Sequence, residues 1–370
     1  MKVLIVFPFS KTSTGISSYT FSIIDALKNS KEITCDVASN YVEWKSECDS
    51  FKKINYYRGY NILSKLLLIF SLDFFLLKLN MLFFHLNNIK VSQYDHVFFT
   101  TAIPLFYIHH SRNVVSVHDL MHRYEPKFKE ASSFLRFFYR EKLYRLIAKN
   151  SQTIIVDSNL GKKHFIESYN ITDSNFVKIL PFIAPSYIYD SLDYDNNSFD
   201  RGNNIFYPAS FWPHKNHINL LKAFLLLKEE GYSFKLILCG KKNSFRRKIE
   251  SFIIKNRISE FVEIYDYLSV SELINFYKKS HALIMPTFFG PTNIPPIEAL
   301  LFNCPIIVSN NYAMPEQFEE AAIYIDPNSV HSIVNGIKLS YNFTPSSINK
   351  IKTKFSKEKF ADNLITLFNF

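Results

Sequence analysis

Apolar residues along this chain fall into short runs separated by stretches of helical period, and the order of the two predicts the architecture. Residues 3–7, 35–38, 96–100, 114–117 and 153–157 are compact apolar runs with the punctuation of strands, and 17–28 has the spacing of an amphipathic helix. Strands alternating with helices argue for a parallel sheet wrapped on its faces. Residues 181–204 lose the periodicity and mix Pro, Asp, Asn and Ser, as a linker does. The alternation restarts with strands at 205–208, 235–238 and 262–265, helices at 219–230 and 269–278, and the runs HALIMPT and CPIIVSN on either side of a further helix. The expectation is an α/β chain of two doubly wound, Rossmann-like domains facing a cleft. Their bounds are 1–183 and 205–353, with a linker at 184–204 and an amphipathic helical segment at 354–370.

The segment FFGPTNIPPIEALLFNCP, residues 288–305, carries the most chemistry. Pro295 and Pro296 suit the first turn of a helix, where a missing N–H costs nothing, and Thr292 or Asn293 is placed to cap it. The backbone N–H groups of Thr292, Asn293 and Ile294 then face outward with the positive end of the helix dipole behind them, a setting that attracts oxygen-rich ligands. Glu298 lies one turn further in, where a carboxylate either complements the dipole or serves a ligand. Ligands of parallel sheets bind beyond the carboxyl ends of the strands, which is where Gly290 to Asn293 fall.

Three further loops occupy equivalent positions. In FYPASFWPHKNHINLLKAF a strand breaks at Pro208 and Pro213, and Lys215 precedes a helix, so that ammonium and dipole together suit a diphosphate. SKTSTGISSY joins the first strand to the first helix with one glycine, Gly15, and lacks the GxGxxG fingerprint of a nicotinamide enzyme. NVVSVHDL leaves His118 and Asp119 at another strand's end, His118 being either structural or a hydrogen-bonding and proton-transfer group.

These residues together resemble the family 4 retaining glycosyltransferases (glycosyl transferases group 1), which have the GT-B fold, and the resemblance is strongest over 206–216 and 262–336. The family pattern of a Glu, seven residues and a second Glu is met at Glu298, with Ile294, Pro295 and Ala299 in place, whereas Gly290 stands at the first Glu. The resemblance implies that Glu298 holds the ribose hydroxyls of a nucleotide sugar. Pro213, Lys215 and Asn216 match a Pro-Arg-Lys-Asn stretch that contacts phosphate, while Ser210 replaces the Arg before it. His214 or Lys241, next to the strand-end Gly240, would supply the missing charge. Thr14 and Gly15 resemble the family's small glycine loop, and His118 its His-Asp motif near the donor sugar. The implied donor-binding set is Gly15, Ser210, Lys215, Gly240, Thr292, Asn293, Ile294 and Glu298, with His118 and Lys215 catalytic and no metal. By the same resemblance the 354–370 helix crosses back onto the first domain.

The implied reaction is retaining transfer of a hexose-type sugar from a nucleotide diphosphate sugar, GDP-mannose or a UDP-hexose, to a hydroxyl of a lipid-linked glycan in bacterial surface polysaccharide or O-antigen synthesis. The nucleotide sugar is a co-substrate, and no cofactor is implied. Two alternatives stay open: a nucleotide- or carbohydrate-binding protein without transferase activity, and a sugar-nucleotide epimerase of the same fold.

Composition narrows the partners. Of the 43 Lys and Arg, residues 1–180 hold 23 against 15 Asp and Glu, so most of the net charge of +10 belongs to the first half. No zinc-finger, recognition-helix or RNA-binding signature accompanies it, which excludes nucleic acid and leaves an anionic membrane surface. Residues 62–86 are apolar at 18 of 25 positions, but Lys65, Asp73 and Lys78 would each cost roughly 2.5–3.5 kcal/mol at a bilayer centre, against a span. Read as one helix, this stretch has a polar stripe at Ser64, Ser71, Lys78 and His85, and is either core or shallowly inserted at an interface. RFFYREKLYR, 136–145, is a second basic and aromatic stretch, either membrane-facing or an ordinary solvated face. MKVLIVFPFSK reads as a first strand and not a signal peptide, and Cys35, Cys48, Cys239 and Cys304 lack disulfide or metal spacing, so the expected place is the cytoplasm, peripheral to the inner membrane face. Asp193 and Asp195 form an Asp-x-Asp that reads as a solvated loop.

Overall fold

A computed structural model describes the chain except residues 12–14, 131, 193–199, 291–292, 346 and 369–370. Asp193, Asp195, Thr14 and Thr292 lie outside the described residues. The chain forms two compact units, Met1–Ile183 with Ser356–Phe370, and Ala184–Phe355.

The first unit is built on seven parallel strands, β1 (Lys2–Val6), β2 (Thr34–Ser39), β3 (Ser50–Lys53), β4 (His96–Phe99), β5 (Asn113–Ser116), β6 (Thr153–Val156) and β7 (Val177–Ile179), in the order β3-β2-β1-β4-β5-β6-β7. Strands β4, β5 and β6 are buried at every residue, as befits a parallel sheet covered on both faces. The edge strands β3 (SFKK) and β7 (VKI) carry lysine and are short, so they have no apolar run to betray them. The helix Lys357–Thr366 belongs to this unit and lies against the first helix, Gly15–Lys28.

The second unit has six parallel strands, β8 (Asn204–Pro208), β9 (Lys235–Cys239), β10 (Val262–Tyr265), β11 (Ala282–Met285), β12 (Ile306–Ser309) and β13 (Ala322–Ile325), in the order β10-β9-β8-β11-β12-β13. The order reverses between β8 and β11, the kind of switch point beyond whose strand ends ligands of parallel sheets bind. Its polar linker residue Arg201 is not loose: the guanidinium donates to the carbonyls of Tyr277, Lys278 and Ser280 at 2.9–3.1 Å and to that of Phe302 at 2.8 Å, closing two helix ends.

Residues 62–86 are not one helix. The helices Arg58–Ile69 and Asp73–Leu86 are separated at Ser71, whose φ of 56° is left-handed. Ser71 N–H donates to Leu68 O at 3.1 Å and Leu72 N–H to Leu67 O at 2.8 Å, the paired bonds of a Schellman stop. The expected stripe dissolves with it, because Ser64 is buried in the core while Lys78 and His85 are exposed. A helix break inside an apolar run leaves no composition signal when the turn residue is Ser instead of Gly.

Candidate functional site

The switch between β8 and β11 brings together residues that sequence places 78 positions apart: Lys215 Nζ donates to Asn293 Oδ1 at 3.1 Å. The Lys215 loop is fixed from below. The buried Tyr207 hydroxyl donates to Lys215 O at 2.7 Å, and Asn216, left-handed at φ 59°, donates through its amide to Pro286 O and Pro327 O at 2.9 and 2.7 Å. Lys215 is partly buried, and burial pushes its ammonium down to about 8. Among the described residues no carboxylate pairs with it, so the lysine is positioned to meet an anion from outside.

Asn293 occupies the cap position of the helix Ile294–Leu301 but makes no side-chain capping bond. That corrects the expected capping role: the side-chain oxygen is spent on Lys215, and in the first turn only Ile294 carries an N–H, since Pro295 and Pro296 have none. Gly290 explains itself by geometry. Its φ is +143°, and an added Cβ would stand 3.0–3.1 Å from the Asn293 amide. A side chain there would be strained in the backbone and would crowd the residue that orients Lys215.

Glu298 is 5% exposed on the same helix. The Tyr277 hydroxyl donates to its Oε2. Burial pushes the carboxyl up to about 7, with the Tyr277 hydrogen bond pulling the other way. A carboxylate held at that balance gains from any hydroxyl that donates to it. Tyr277 lies in the helix Val270–Lys279, begun by a Ser269–Glu272 capping box. That box was legible as SVSEL, and the inward turn of Tyr277 was not.

Ser210 and Gly240 also meet. A Cβ on Gly240 would lie 2.4 Å from Ala209 O and 3.0 Å from Ser210 Cα, so glycine permits the loops after β8 and β9 to touch. His214 stacks on Phe289 with centroids 4.2 Å apart, and Phe288 N–H donates to His214 O at 2.9 Å. This ties the β8 loop to the β11 loop a second time. Lys241 is exposed.

In the first unit Gly15 begins the helix Gly15–Lys28 and is exposed. His118 Nε2 lies 2.9 Å from Thr100 O; a carbonyl only accepts, so Nε2 carries the proton and Nδ1 presents a lone pair. The ring stands edge-on to Tyr19 at 5.3 Å, and burial pushes it down to about 4. His118 is a neutral hydrogen-bond acceptor at physiological pH. Asp119 is structural: its Oδ1 receives Arg140 at 2.7 Å and Met121 N–H at 2.9 Å. Arg140 also donates to the Tyr144 hydroxyl at 2.9 Å, so part of the basic 136–145 stretch faces inward to hold the His-Asp turn. Burial pushes all four cysteine thiols up to about 11, which suits inert packing residues. Among the described residues no group of three or more His, Cys, Asp or Glu is arranged to hold a metal ion.

Residues 190–347 match the family described as Glycosyl transferases group 1. The chain is 24% identical over 365 residues to the O-antigen chain mannosyltransferase RfbU of Salmonella typhimurium, covering 96% of this chain and 94% of that protein. It is 23% identical over 238 residues, 62% of each chain, to the O-antigen chain mannosyltransferase B of Escherichia coli. Its fold is similar to that of Anabaena Alr3699/HepE in complex with UDP and glucose, with a TM-score of 0.68, 14% identity and 100% of both chains covered.

Proposed function

We propose, starting from a chain that carries a Glycosyl transferases group 1 domain and is therefore a glycosyltransferase, that it moves a hexose-type sugar from a nucleotide diphosphate sugar to a hydroxyl of a lipid-linked glycan, with retention, in O-antigen or related surface polysaccharide synthesis. The observation that carries this reading is the Lys215–Asn293 pair at the β8/β11 switch, one helical turn from the buried Glu298. Lys215, the Ile294 N–H and the positive end of the helix Ile294–Leu301 supply positive charge to the departing diphosphate. Glu298 accepts from the ribose hydroxyls. The bond from the sugar to the diphosphate breaks through an oxocarbenium-like state, the acceptor oxygen bonds to the anomeric carbon on the face the leaving group has vacated, and the acceptor's proton passes to the departing phosphate oxygen. No metal ion is needed in this scheme, because protein cations and dipoles do the same electrostatic work.

The named relatives favour mannose as the sugar, and the UDP-bound neighbour keeps uridine donors in the test. His118 has the role of accepting a sugar hydroxyl through Nδ1. Nucleotide release measured over GDP-mannose and UDP-hexoses, with mass and anomeric analysis of the product and with chelator added, is the direct experiment. Lys215→Ala and Glu298→Ala are each expected to lower transfer by about 10²-fold or more with an unchanged circular dichroism spectrum. Full activity in both variants would overturn the donor site. Nucleotide binding with no transfer to any acceptor would turn the reading toward a binding protein, and an epimerised donor formed without acceptor toward an epimerase.

A further inference from the structure

The helix pair Arg58–Ile69 and Asp73–Leu86 leaves large apolar side chains in solvent on both of its helices and at its turn. Phe70 is 69% exposed, Phe74 64%, Phe75 58% and Leu86 69%, and at the start of the helix Phe134–Asn150 Phe134 is 76% and Leu135 72% exposed. Apart from Leu86, at the far end of its helix, these residues sit on neighbouring helices. Lys142 Nζ donates to Ser71 Oγ at 2.6 Å, Lys65 Nζ stands 5.3 Å from the Tyr139 ring, and a cavity of about 530 Å³ is lined jointly by Lys65 and Ile69 from one helix and Leu135 and Arg136 from the other. An exposed apolar patch of this kind on a folded protein marks an interaction face.

Charge selects the occupant. Between Tyr57 and Leu86 the charged residues are Arg58, Lys65, Lys78 and Asp73, and from Phe134 to Arg145 they are Arg136, Arg140, Lys142, Arg145 and Glu141. Glu141 is buried and held by His122 and Arg123, and Arg140 is turned inward to Asp119. What remains beside the exposed phenylalanine and leucine is six basic residues, Arg58, Lys65, Lys78, Arg136, Lys142 and Arg145, against one carboxylate, the partly exposed Asp73 at the start of its helix, so the face is net basic. A second copy of the chain docked here about a two-fold axis would set like charge against like charge. Lipid phosphates oppose that face with the right sign, while aromatic side chains enter the acyl boundary and lysines snorkel back to the headgroups. No helix among the described residues is long and apolar enough to cross a membrane, so the contact is with one leaflet.

We propose that the surface formed by the helices Arg58–Ile69 and Asp73–Leu86 and the start of Phe134–Asn150 docks this protein on an anionic bilayer, with Phe74 and Phe75 inserted. The inference deepens the lipid-linked reading of the acceptor, yet its readout does not depend on transfer. The full chain is sedimented with large unilamellar vesicles of phosphatidylglycerol and phosphatidylethanolamine, and in parallel with phosphatidylcholine alone. Binding to the anionic vesicles, weakened by 0.5 M salt, is the expected result. Phe74→Ser with Phe75→Ser, and separately Lys65→Glu with Lys78→Glu, are each expected to weaken it about tenfold or more while leaving the thermal midpoint and donor hydrolysis unchanged. Brominated lipid is expected to quench Phe74→Trp more than the wild-type tryptophans. Equal binding to neutral vesicles, unaltered binding by the phenylalanine pair, or no binding at all overturns the proposal. So does light scattering that shows a concentration-dependent dimer abolished by the phenylalanine pair without vesicle binding.

Discussion

At the residue scale, two buried groups of the candidate chemistry, Glu298 and His118, make opposite statements about pH. The Glu298 carboxyl is pushed up to about 7 by burial. Its protonated form suits the fold, so its contribution to stability is fully present below about pH 4.5 and is lost as pH rises through about 7. The ionised residue therefore strains the ligand-free protein by up to about 3 kcal/mol at pH 8. Glu298→Gln keeps a neutral side chain at every pH. Urea melts should show the variant near wild type at pH 5 and more stable by a few kcal/mol at pH 8, with donor affinity reduced; a stability difference independent of pH would mean that the carboxyl titrates normally. His118 is pushed down to about 4 by burial and donates its Nε2–H to Thr100 O. Its charge does not change between pH 6 and 8. The profile of kcat/KM should accordingly show no step there that disappears in His118→Asn, although that variant is slower; a step lost with the imidazole would make His118 a proton-transfer group and contradict the neutral-acceptor role.

At the element scale, the loop after β11 shows what glycine does at position 290. Gly290 holds φ +143° and leaves room for Asn293 at 3.0 Å, and Asn293 in turn orients Lys215. Restoring the pattern by Gly290→Glu is therefore expected to harm the enzyme: roughly 1–3 kcal/mol of backbone strain, and a raised KM for donor because the Asn293 amide is displaced. Steady-state kinetics with donor varied decides it, and a rise in kcat with KM unchanged would show that the loop accepts a carboxylate. The strand–loop–helix framework around this loop was legible because parallel strands buried on both faces leave apolar runs, as in β11 and β12. The edge strands β3 and β7, and the break at Ser71, were not, because an edge tolerates lysine and a left-handed serine looks like any polar residue in a helix. Gly290, Lys215 and Glu298 could be picked from motif spacing. The partners that set their chemistry, Asn293 for Lys215 and Tyr277 for Glu298, depend on how helices rotate against the sheet, which spacing does not encode.

At the scale of the whole molecule, the chain leaves its first unit near Ile183 and returns to it at Ser356, and the return is marked residue by residue. Phe355 closes the second unit: its ring packs 6.1 Å from Phe318 and its carbonyl accepts the Tyr189 hydroxyl. Ser356 opens the last helix by accepting Lys359 N–H at 3.1 Å. That helix and the turn after it bury Phe360, Leu364, Leu367 and Phe368 in the first unit, with Phe368 lying 5.2 Å from His96 and 5.9 Å from Phe98 on β4. Four such side chains are worth about 6–12 kcal/mol of gross burial, and the entropy of ordering the segment leaves a net of a few. Deleting residues 356–370 should thus destabilise a unit from which they are more than 170 positions distant in sequence. Hydrogen exchange on the shortened chain is expected to show faster amides in the helix Gly15–Lys28 and in β4, with β8, β11 and β12 as protected as before. Equal loss of protection in both sheets would mean that the two units unfold as one, and the last helix would then be a clasp for the entire chain instead of a missing piece of the first core.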